Sequence, residues 1–451
     1  MHFDEVYPNI KEYLVTQELE KARKLAAEFQ PADIAESVSK LPVDEIAPIL
    51  SLLSPETAGE VINRLDAELA GNVLCTMEEE KSGAIIDEMF SDDVADILGE
   101  MTEQEKDKIL SLMEQEDASD VRELLAFEED TAGGIMTTEY VAILQNITAE
   151  RAIQVIRETA PDAETVYYVY VINDKNQLVG VISLRELIIA HPQVLIEDIM
   201  HHKVKSVNVH MDQEEVARLV AKYDFLAIPV VDDDQSLVGI ITVDDVIDVI
   251  HEEASEDIYR LAGTAEVDFE NVLWKRIWDA VRDRLPWLLI TLFGGLLAGG
   301  IIRGLEKEIQ AVVALSYFIP LLMGMGGNVG TQSSTLAVRG LATGQVDAGK
   351  MLQTVGTEAL IGVGVGLICG LIVTVVAFFW QKSALLGLVV GIALCANMIT
   401  ASTMGTFVPL ILKRFGIDPA VASAPFISTS IDIIGLLIYA GLASVFISWL
   451  V

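Results

Sequence analysis

Pro320-Leu-Leu-Met-Gly324-Met-Gly326-Gly327-Asn328-Val-Gly330-Thr-Gln332 lies inside an apolar run from about Ala311 to Val338. Glycine is a poor helix former, so four of them within seven residues read as a break in a membrane-spanning helix. Broken backbone at membrane depth persists only beside protein or water. Its freed carbonyls and Asn328 would then be oxygen ligands of the kind a hard cation or its hydration shell takes. The same glycines also suit a close helix-packing surface, and both readings stay open.

Four further runs flank this one: about Leu285–Ile302, Leu352–Trp380, Ala384–Leu412 and Val421–Val451. A spanning helix needs roughly 20 mostly apolar residues, so the C-terminal part predicts a five-helix transmembrane domain over 285–451. Lys275, Arg276, Arg282, Arg284, Arg339, Lys350, Lys413 and Arg414 would flank one side, and Arg303, Lys307 and Lys382 the other. Basic residues gather on the cytoplasmic side, which places residues 1–284 inside the cell and Val451 outside. Trp274, Trp278 and Trp287 fit an interfacial aromatic belt beside the first span. Residues 257–284 are expected to form a helix joining the soluble part to the membrane.

The chain carries a formal net charge of -38. Residues 1–280 hold 61 acids against 21 Lys and Arg, and residues 281–451 hold seven against nine. An acidic front excludes a nucleic-acid partner, which needs Lys and Arg, and suits a cation. Cys75, Cys369 and Cys395 lack metal-ligand spacing, and the polar stretch Met1–Glu20 does not read as a signal peptide. The spans hold no histidine, no Ser-His-Asp set and no phosphate-binding loop, so the reading is a transporter and not an enzyme.

Asp432, in Ser428-Thr-Ser-Ile-Asp432-Ile-Ile-Gly435, is the acid deepest in an apolar span. A carboxylate there should face a wet cavity and meet a cation. Pro425, Ser428, Thr429 and Asp432 share one helical face and, with Gly326, Gly327 and Asn328, are the expected pore lining. The alternative is a packing contact with Asp432 protonated or paired. Glu358 is expected at the cytoplasmic interface. Asn397, Thr400, Ser402 and Thr403 fit either a pore lining or hydrogen bonds between helices.

Two patterns organise the front. From Gln30 to Leu125, apolar pairs recur every 12 residues (Ile49-Leu50, Val61-Ile62, Val73-Leu74, Ile85-Ile86, Ile97-Leu98, Ile109-Leu110). Acids and hydroxyls at the window starts are helix N-terminal signals, so 1–130 predicts an α-helical solenoid of eight short helices. Residues 131–256 instead repeat a strand–Gly turn–hydroxyl–helix phrase: Leu178-Val-Gly180-Val-Ile-Ser183-Leu-Arg-Glu186, then Leu237-Val-Gly239-Ile-Ile-Thr242-Val-Asp-Asp245. Each half opens on Ile-Met, at Ile135-Met136 and Ile199-Met200. This resembles an α/β tandem of cystathionine-β-synthase (CBS) domains. The Gly-x-x-Ser/Thr-x-x-Asp phrase resembles that family's adenosine-ribose contact, complete at Asp245 and replaced by Glu186 in the first copy. The acids Asp245, Asp248, Glu252 and Glu256 share one face of the helix that follows, which reads as cation binding where a solvated charged face is the alternative.

Taken in order, the acidic helical array, the tandem beginning Thr131-Ala-Gly-Gly-Ile-Met-Thr137, the Gly326-Gly-Asn328-Val-Gly330-Thr-Gln332 segment and Asp432-Ile-Ile-Gly435-Leu-Leu-Ile-Tyr439 resemble the MgtE family of magnesium channels over essentially the whole length. That resemblance implies a multidomain α-helical membrane protein of the cytoplasmic membrane, acting as a homodimer in lipid. Asp432 would hold hydrated Mg²⁺ in the pore. Asp92, Asp93 or Asp96 would face CBS acids (Glu214, Asp224, Asp245, Asp248, Glu253, Glu256 and Asp257) across bound Mg²⁺ and so close the channel. ATP is an implied regulator, with Asp245 as its ribose contact. The competing reading is an ion-coupled secondary transporter of another divalent cation such as Co²⁺ or Mn²⁺.

Overall fold

A computed structural model describes residues 7, 8, 10–13, 16, 19–26, 28–160, 163–265 and 273–450. The chain divides into two compact units, 1–250 and 251–451.

The first unit opens with α1 (Leu19–Ala26) and then eight short helices: α2 (Pro31–Val38), α3 (Val43–Leu50), α4 (Pro55–Ile62), α5 (Ala67–Thr76), α6 (Glu79–Ile86), α7 (Ser91–Gly99), α8 (Glu103–Leu110) and α9 (Asp117–Leu124). The first seven of these eight begin at 12-residue intervals, as the repeat predicts. Local signals start them: the Thr57 amide donates to Ser54 Oγ at 3.3 Å, and the Glu68 amide to Asp66 Oδ1 at 3.1 Å. Helices this short are not stable alone. Helices two apart in sequence stack on each other: α2 on α4, α3 on α5, α4 on α6, α5 on α7 and α7 on α9. The stacking buries the recurring pairs, Ile49-Leu50 and Val61-Ile62 among them. Gly59 and Gly71, also 12 apart, are the contact points: a Cβ on them would stand 3.1 and 3.0 Å from Met89 and Met101.

Two α/β halves follow. The first comprises β1 (Tyr140–Leu144), α10 (Ala149–Thr159), β2 (Thr165–Ile172), β3 (Leu178–Ser183), α11 (Leu184–Ile189) and α12 (Ile196–Ile199). The second comprises β4 (Val207–Asn208), α13 (Gln213–Tyr223), β5 (Ala227–Val231), β6 (Leu237–Thr242) and α14 (Val243–Ala262). Each sheet has three strands, one parallel pair and one antiparallel pair, with Ala142 beside Tyr170 and Tyr170 beside Val181 in the first. The Ile-Met openings are exchanged. Met136 of the first half packs on Gly239 of the second, and Met200 packs on Gly180. Backbone bridges Thr137–Ile240 and Val181–His201 accompany the exchange.

The second unit contains α15 (Leu273–Gly304), α16 (Glu306–Ala311), a 3₁₀ turn (Val313–Phe318), α17 (Ile319–Ala342), α18 (Met351–Gln381), α19 (Ala384–Arg414) and α20 (Ala424–Leu450). Five of its helical segments are long and apolar enough to cross a membrane. The hydrophobic window of α19 is 56% buried and that of α15 is 11%, so α19 is the centre and α15 the rim. The expected class is observed: a helical N domain, an α/β pair and five membrane-type helices.

Two expectations are corrected. The glycine segment does not break its helix; α17 runs through Gly324, Gly326, Gly327 and Gly330 without interruption, with Pro320 in its first turn, where a missing N–H costs nothing. The helix expected over 257–284 is not continuous. Helix α14 ends at Ala262, Gly263 takes φ +72°, and Thr264 and Ala265 are not helical. Residues 266–272 lie outside the described ones, and α15 continues directly into the first span.

Candidate functional site

In the first unit, the start of α7 meets carboxylates from the α/β pair. Glu139, just before β1, caps α7: the Ser91 amide donates to its Oε1 at 3.1 Å and Ser91 Oγ to its Oε2 at 2.8 Å, with Thr137 Oγ1 donating to Oε2 at 2.6 Å. Glu164 precedes β2, and Asp244 and Asp245 open α14. One ligand oxygen from each of Glu164, Asp244 and Asp245 falls within 4.8 Å of the others, a spacing one metal ion could span. Asp92 is 7% exposed, and its Oδ1 and the Glu164 Oε2 are buried with no hydrogen-bond partner among the described residues.

The electrostatics follow from this crowding. Burial, then Asp93, Glu164, Asp245 and Glu139, push Asp92 well above the ordinary carboxylate range. Burial and then Asp245 and Asp96 raise Asp93 to about 7, against a hydrogen bond from Asn63. Burial and Asp245 raise Glu164 to about 8, and burial raises Asp245 to about 6 although Thr242 donates to it. Mutually repelling buried carboxyls either hold protons or accept a cation, and an all-oxygen set suits Mg²⁺ or Ca²⁺.

Of the acids singled out in the sequence, Asp92, Asp93 and Asp245 come together, with Asp96 and Asp248 as flanking charges on them. Glu214 instead pairs with Arg218 at 3.2 Å, and Asp224 ends α13 in the left-handed conformation at φ 54°. Glu253, Glu256 and Asp257 lie in the second unit, where Arg260 bridges Glu256 and Asp418. Glu139, Glu164 and Asp244 were not foreseen as partners of α7. Glu139 and Glu164 are each a single acid just before a strand, with nothing local to mark them, and Asp244 stands next to the singled-out Asp245.

The Gly-x-x-Ser/Thr-x-x-acid phrase serves as a helix cap in both copies. Thr242 Oγ1 donates to Asp245 Oδ2 at 2.5 Å, and Ser183 Oγ to Glu186 Oε2 at 2.7 Å. Glu186 also meets His201 at 2.8 Å, which holds its carboxyl down to about 2. Asp245 therefore sits among acids. A separate open groove of about 710 Å³ is lined by Tyr167, Tyr168, Ser183, Arg185, Ile188 and Leu226, among others.

In the second unit, Asp432 lies on α20, eight residues from its start, and its Oδ1 is buried with no hydrogen-bond partner among the described residues. The neighbours expected to line a pore divide. Asn328 is exposed. Gly326 and Gly327 are contact points, because a Cβ on either would lie 2.5 Å from Asn397 Nδ2 or Ser428 Oγ. Thr429 packs on Gly294 of α15, and Pro425 lies against Gly263. Gly326, Gly327, Pro425, Ser428 and Thr429 thus take part in helix packing, with polar groups of α20 seated opposite glycines. Thr400 and Thr403 bond back to carbonyls of their own helix. Glu358 accepts from Ser333 at 3.2 Å and Ser402 at 3.0 Å, tying α18 to α17 and α19 where a free interfacial acid was expected.

Family models match three parts of the chain: a divalent cation transporter model (MgtE) over residues 319–442, an MgtE intracellular N domain over 29–130, and CBS domains over 132–192 and 196–252. The magnesium transporter MgtE of Thermus thermophilus is 43% identical over 332 residues, 72% of each chain.

The chain belongs to the MgtE family.

Its MgtE relative from Bacillus subtilis is 42% identical over 328 residues, again 72% of each chain. Among solved structures, the cytosolic domain of the Mg²⁺ channel MgtE in complex with ATP is 38% identical. It covers 54% of this chain and 99% of that one, with a TM-score of 0.51. With five apolar helices in its second unit, this MgtE-family chain is a multi-pass membrane protein.

Proposed function

We propose that this protein is a Mg²⁺ channel of the cytoplasmic membrane that admits Mg²⁺ and is closed when Mg²⁺ binds its acidic cytoplasmic domains. The observation that carries the reading is the set of Asp92, Asp93, Glu164, Asp244 and Asp245, carboxyls gathered where they repel one another. A divalent cation turns that repulsion into attraction, and a ligand shifts a conformational balance only through such a preference for one form. Glu253, Glu256 and Asp257 on α14 would be further Mg²⁺ ligands.

The relatives' names supply the ion. Asp432 supplies the pore contact, since an intramembrane carboxylate without a basic partner among the described residues is best explained by a cation. Mg²⁺ sheds water reluctantly, so one carboxylate touching a hydrated ion is chemically sufficient. In a homodimer, two copies of Asp432 and of the exposed Asn328 would share one axis. The unbroken α17 takes away a broken backbone that would have fitted an ion-coupled carrier of Co²⁺ or Mn²⁺ as well as a channel, so it does not separate the two. ATP fits as a regulator in the groove beside Tyr167 and Tyr168, where aromatic faces and Arg185 suit a base and a phosphate, and the acids around Asp245 do not.

The test is Mg²⁺ uptake into proteoliposomes. Uptake should vanish with Asp432→Ala, and in the unaltered protein it should fall as Mg²⁺ on the cytoplasmic face rises. Asp92→Asn with Asp93→Asn should weaken that inhibition. Full uptake by Asp432→Ala would remove the pore assignment, and an inhibition unchanged in the Asn pair would remove the sensor.

A further inference from the structure

We propose that Asn397 is a positioning residue for the ion contact at Asp432, setting the placement of α20 from the middle of the bundle. The proposal rests on the reading of Asp432 as that contact. Asn397 is 0% exposed, at the centre of α19. Its Nδ2 donates to the Leu322 carbonyl of α17 at 2.7 Å. Its Oδ1 is buried with no hydrogen-bond partner among the described residues. An unsatisfied polar atom is costly at membrane depth, and an apolar side chain of similar volume would pack here without that cost.

The amide is wedged between two glycines on different helices. A Cβ at Gly326 of α17 would lie 2.5 Å from Nδ2, and one at Gly435 of α20 would lie 2.5 Å from Oδ1. Ile431, one turn before Gly435, rests on Gly326 and Gly330 of α17. Residues 431 and 435 thus pin one face of α20 to the α17–α19 seam. Asp432 follows Ile431 directly, so at 3.6 residues per turn its direction is set by that face. Displacing Gly435 from Asn397 turns or lifts Asp432 with it. Gly441 on the same helix has open space where its Cβ would stand, which provides a matched control.

The experiment measures Mg²⁺ uptake by the full chain in liposomes against Mg²⁺ concentration, separating half-saturation from maximal rate. Gly435→Ala should raise the half-saturating concentration about tenfold, the effect of misplacing a contact worth roughly 1.4 kcal/mol. Adding Asn397→Ser, which removes two side-chain atoms, should recover most of the shift, and Gly441→Ala should cause none. If Gly435→Ala does not fold, Asn397→Ser alone should show the same shift, because it frees Gly326 and Gly435 from the wedge. A folded Gly435→Ala that behaves like Gly441→Ala, or one that Asn397→Ser does not rescue, overturns the proposal. Asp432→Asn is measured alongside. An unchanged half-saturation there removes the pore reading itself, whereas a shift there with a flat Gly435→Ala removes only the role of Asn397.

Discussion

Asp93, Glu164 and Asp245 keep their protons to about pH 7, 8 and 6, because burial and neighbouring acids disfavour the charged forms. Each folded value lies above the ordinary one, so between about pH 4 and pH 8 the folded chain binds more protons than the unfolded chain. Stability is then greatest at the acid end of that window and is lost as pH rises through the folded values. Hydrogen exchange at residues 91–99 should quicken from pH 5 to pH 8 once corrected for intrinsic rates, and Mg²⁺ should blunt the change. Glycine contacts yield a second expectation. At Gly239 an added Cβ meets the Thr137 carbonyl at 2.7 Å as well as Met136, whereas at Gly180 its three nearest atoms all belong to the side chain of Met200. Gly239→Ala should cost about 1–3 kcal/mol, as overpacking does, and Gly180→Ala less because a methionine can move. Denaturant midpoints of the two variants measure the difference.

The helices of the first unit depend on their ends, since eight residues make only two turns. Helix α8 begins with a cap in which Thr102 N and Oγ1 both donate to Glu105 Oε2, at 3.0 and 2.5 Å. Thr102→Ala should cost about 1 kcal/mol, read as a lower denaturant midpoint with an unchanged slope. Asp245 is subject to two demands. Its Oδ2 caps α14 through Thr242, and its position places it against Glu164 and Asp93. Replacing it therefore disturbs a helix start as well as the acid cluster, and the Asp92 and Asp93 variants test cation binding more cleanly.

Taken together, residues 1–280 hold 61 acids against 21 Lys and Arg and so carry the chain's net negative charge. Ordinary salt screens such repulsion over about 10 Å at 0.1 M, whereas a bridging ion acts only at its ligands. At a hundred times its dissociation constant, Mg²⁺ bound only to the folded form should stabilise it by about 2.7 kcal/mol. Thermal unfolding of the full protein in Mg²⁺, compared with Na⁺ at equal ionic strength, should show that gain, and Asp92→Asn with Asp93→Asn should shrink it. Equal melting in the two salts would reduce the effect to screening.

Periodic features were legible in the chain itself. A 12-residue repeat, a duplicated strand–helix phrase and five apolar runs each express a local rule of helix, turn or bilayer, and the folded elements follow them closely. The acid at Asp432 was equally plain, because a charge in an apolar run is conspicuous wherever it points. Contacts between distant segments were not legible. Glu139 and Glu164 meet Asp92 only because the α/β pair brings residues 139, 164 and 245 to the start of α7. The glycines of α17, which by propensity alone should break a helix, remain helical because Asn397, Ser428 and Ile431 fill the notches they leave. Propensity is a preference of well under a few kcal/mol per residue, and tight packing of three apolar helices outweighs it. Pattern therefore decides which elements form, and long-range packing decides which of their polar groups meet.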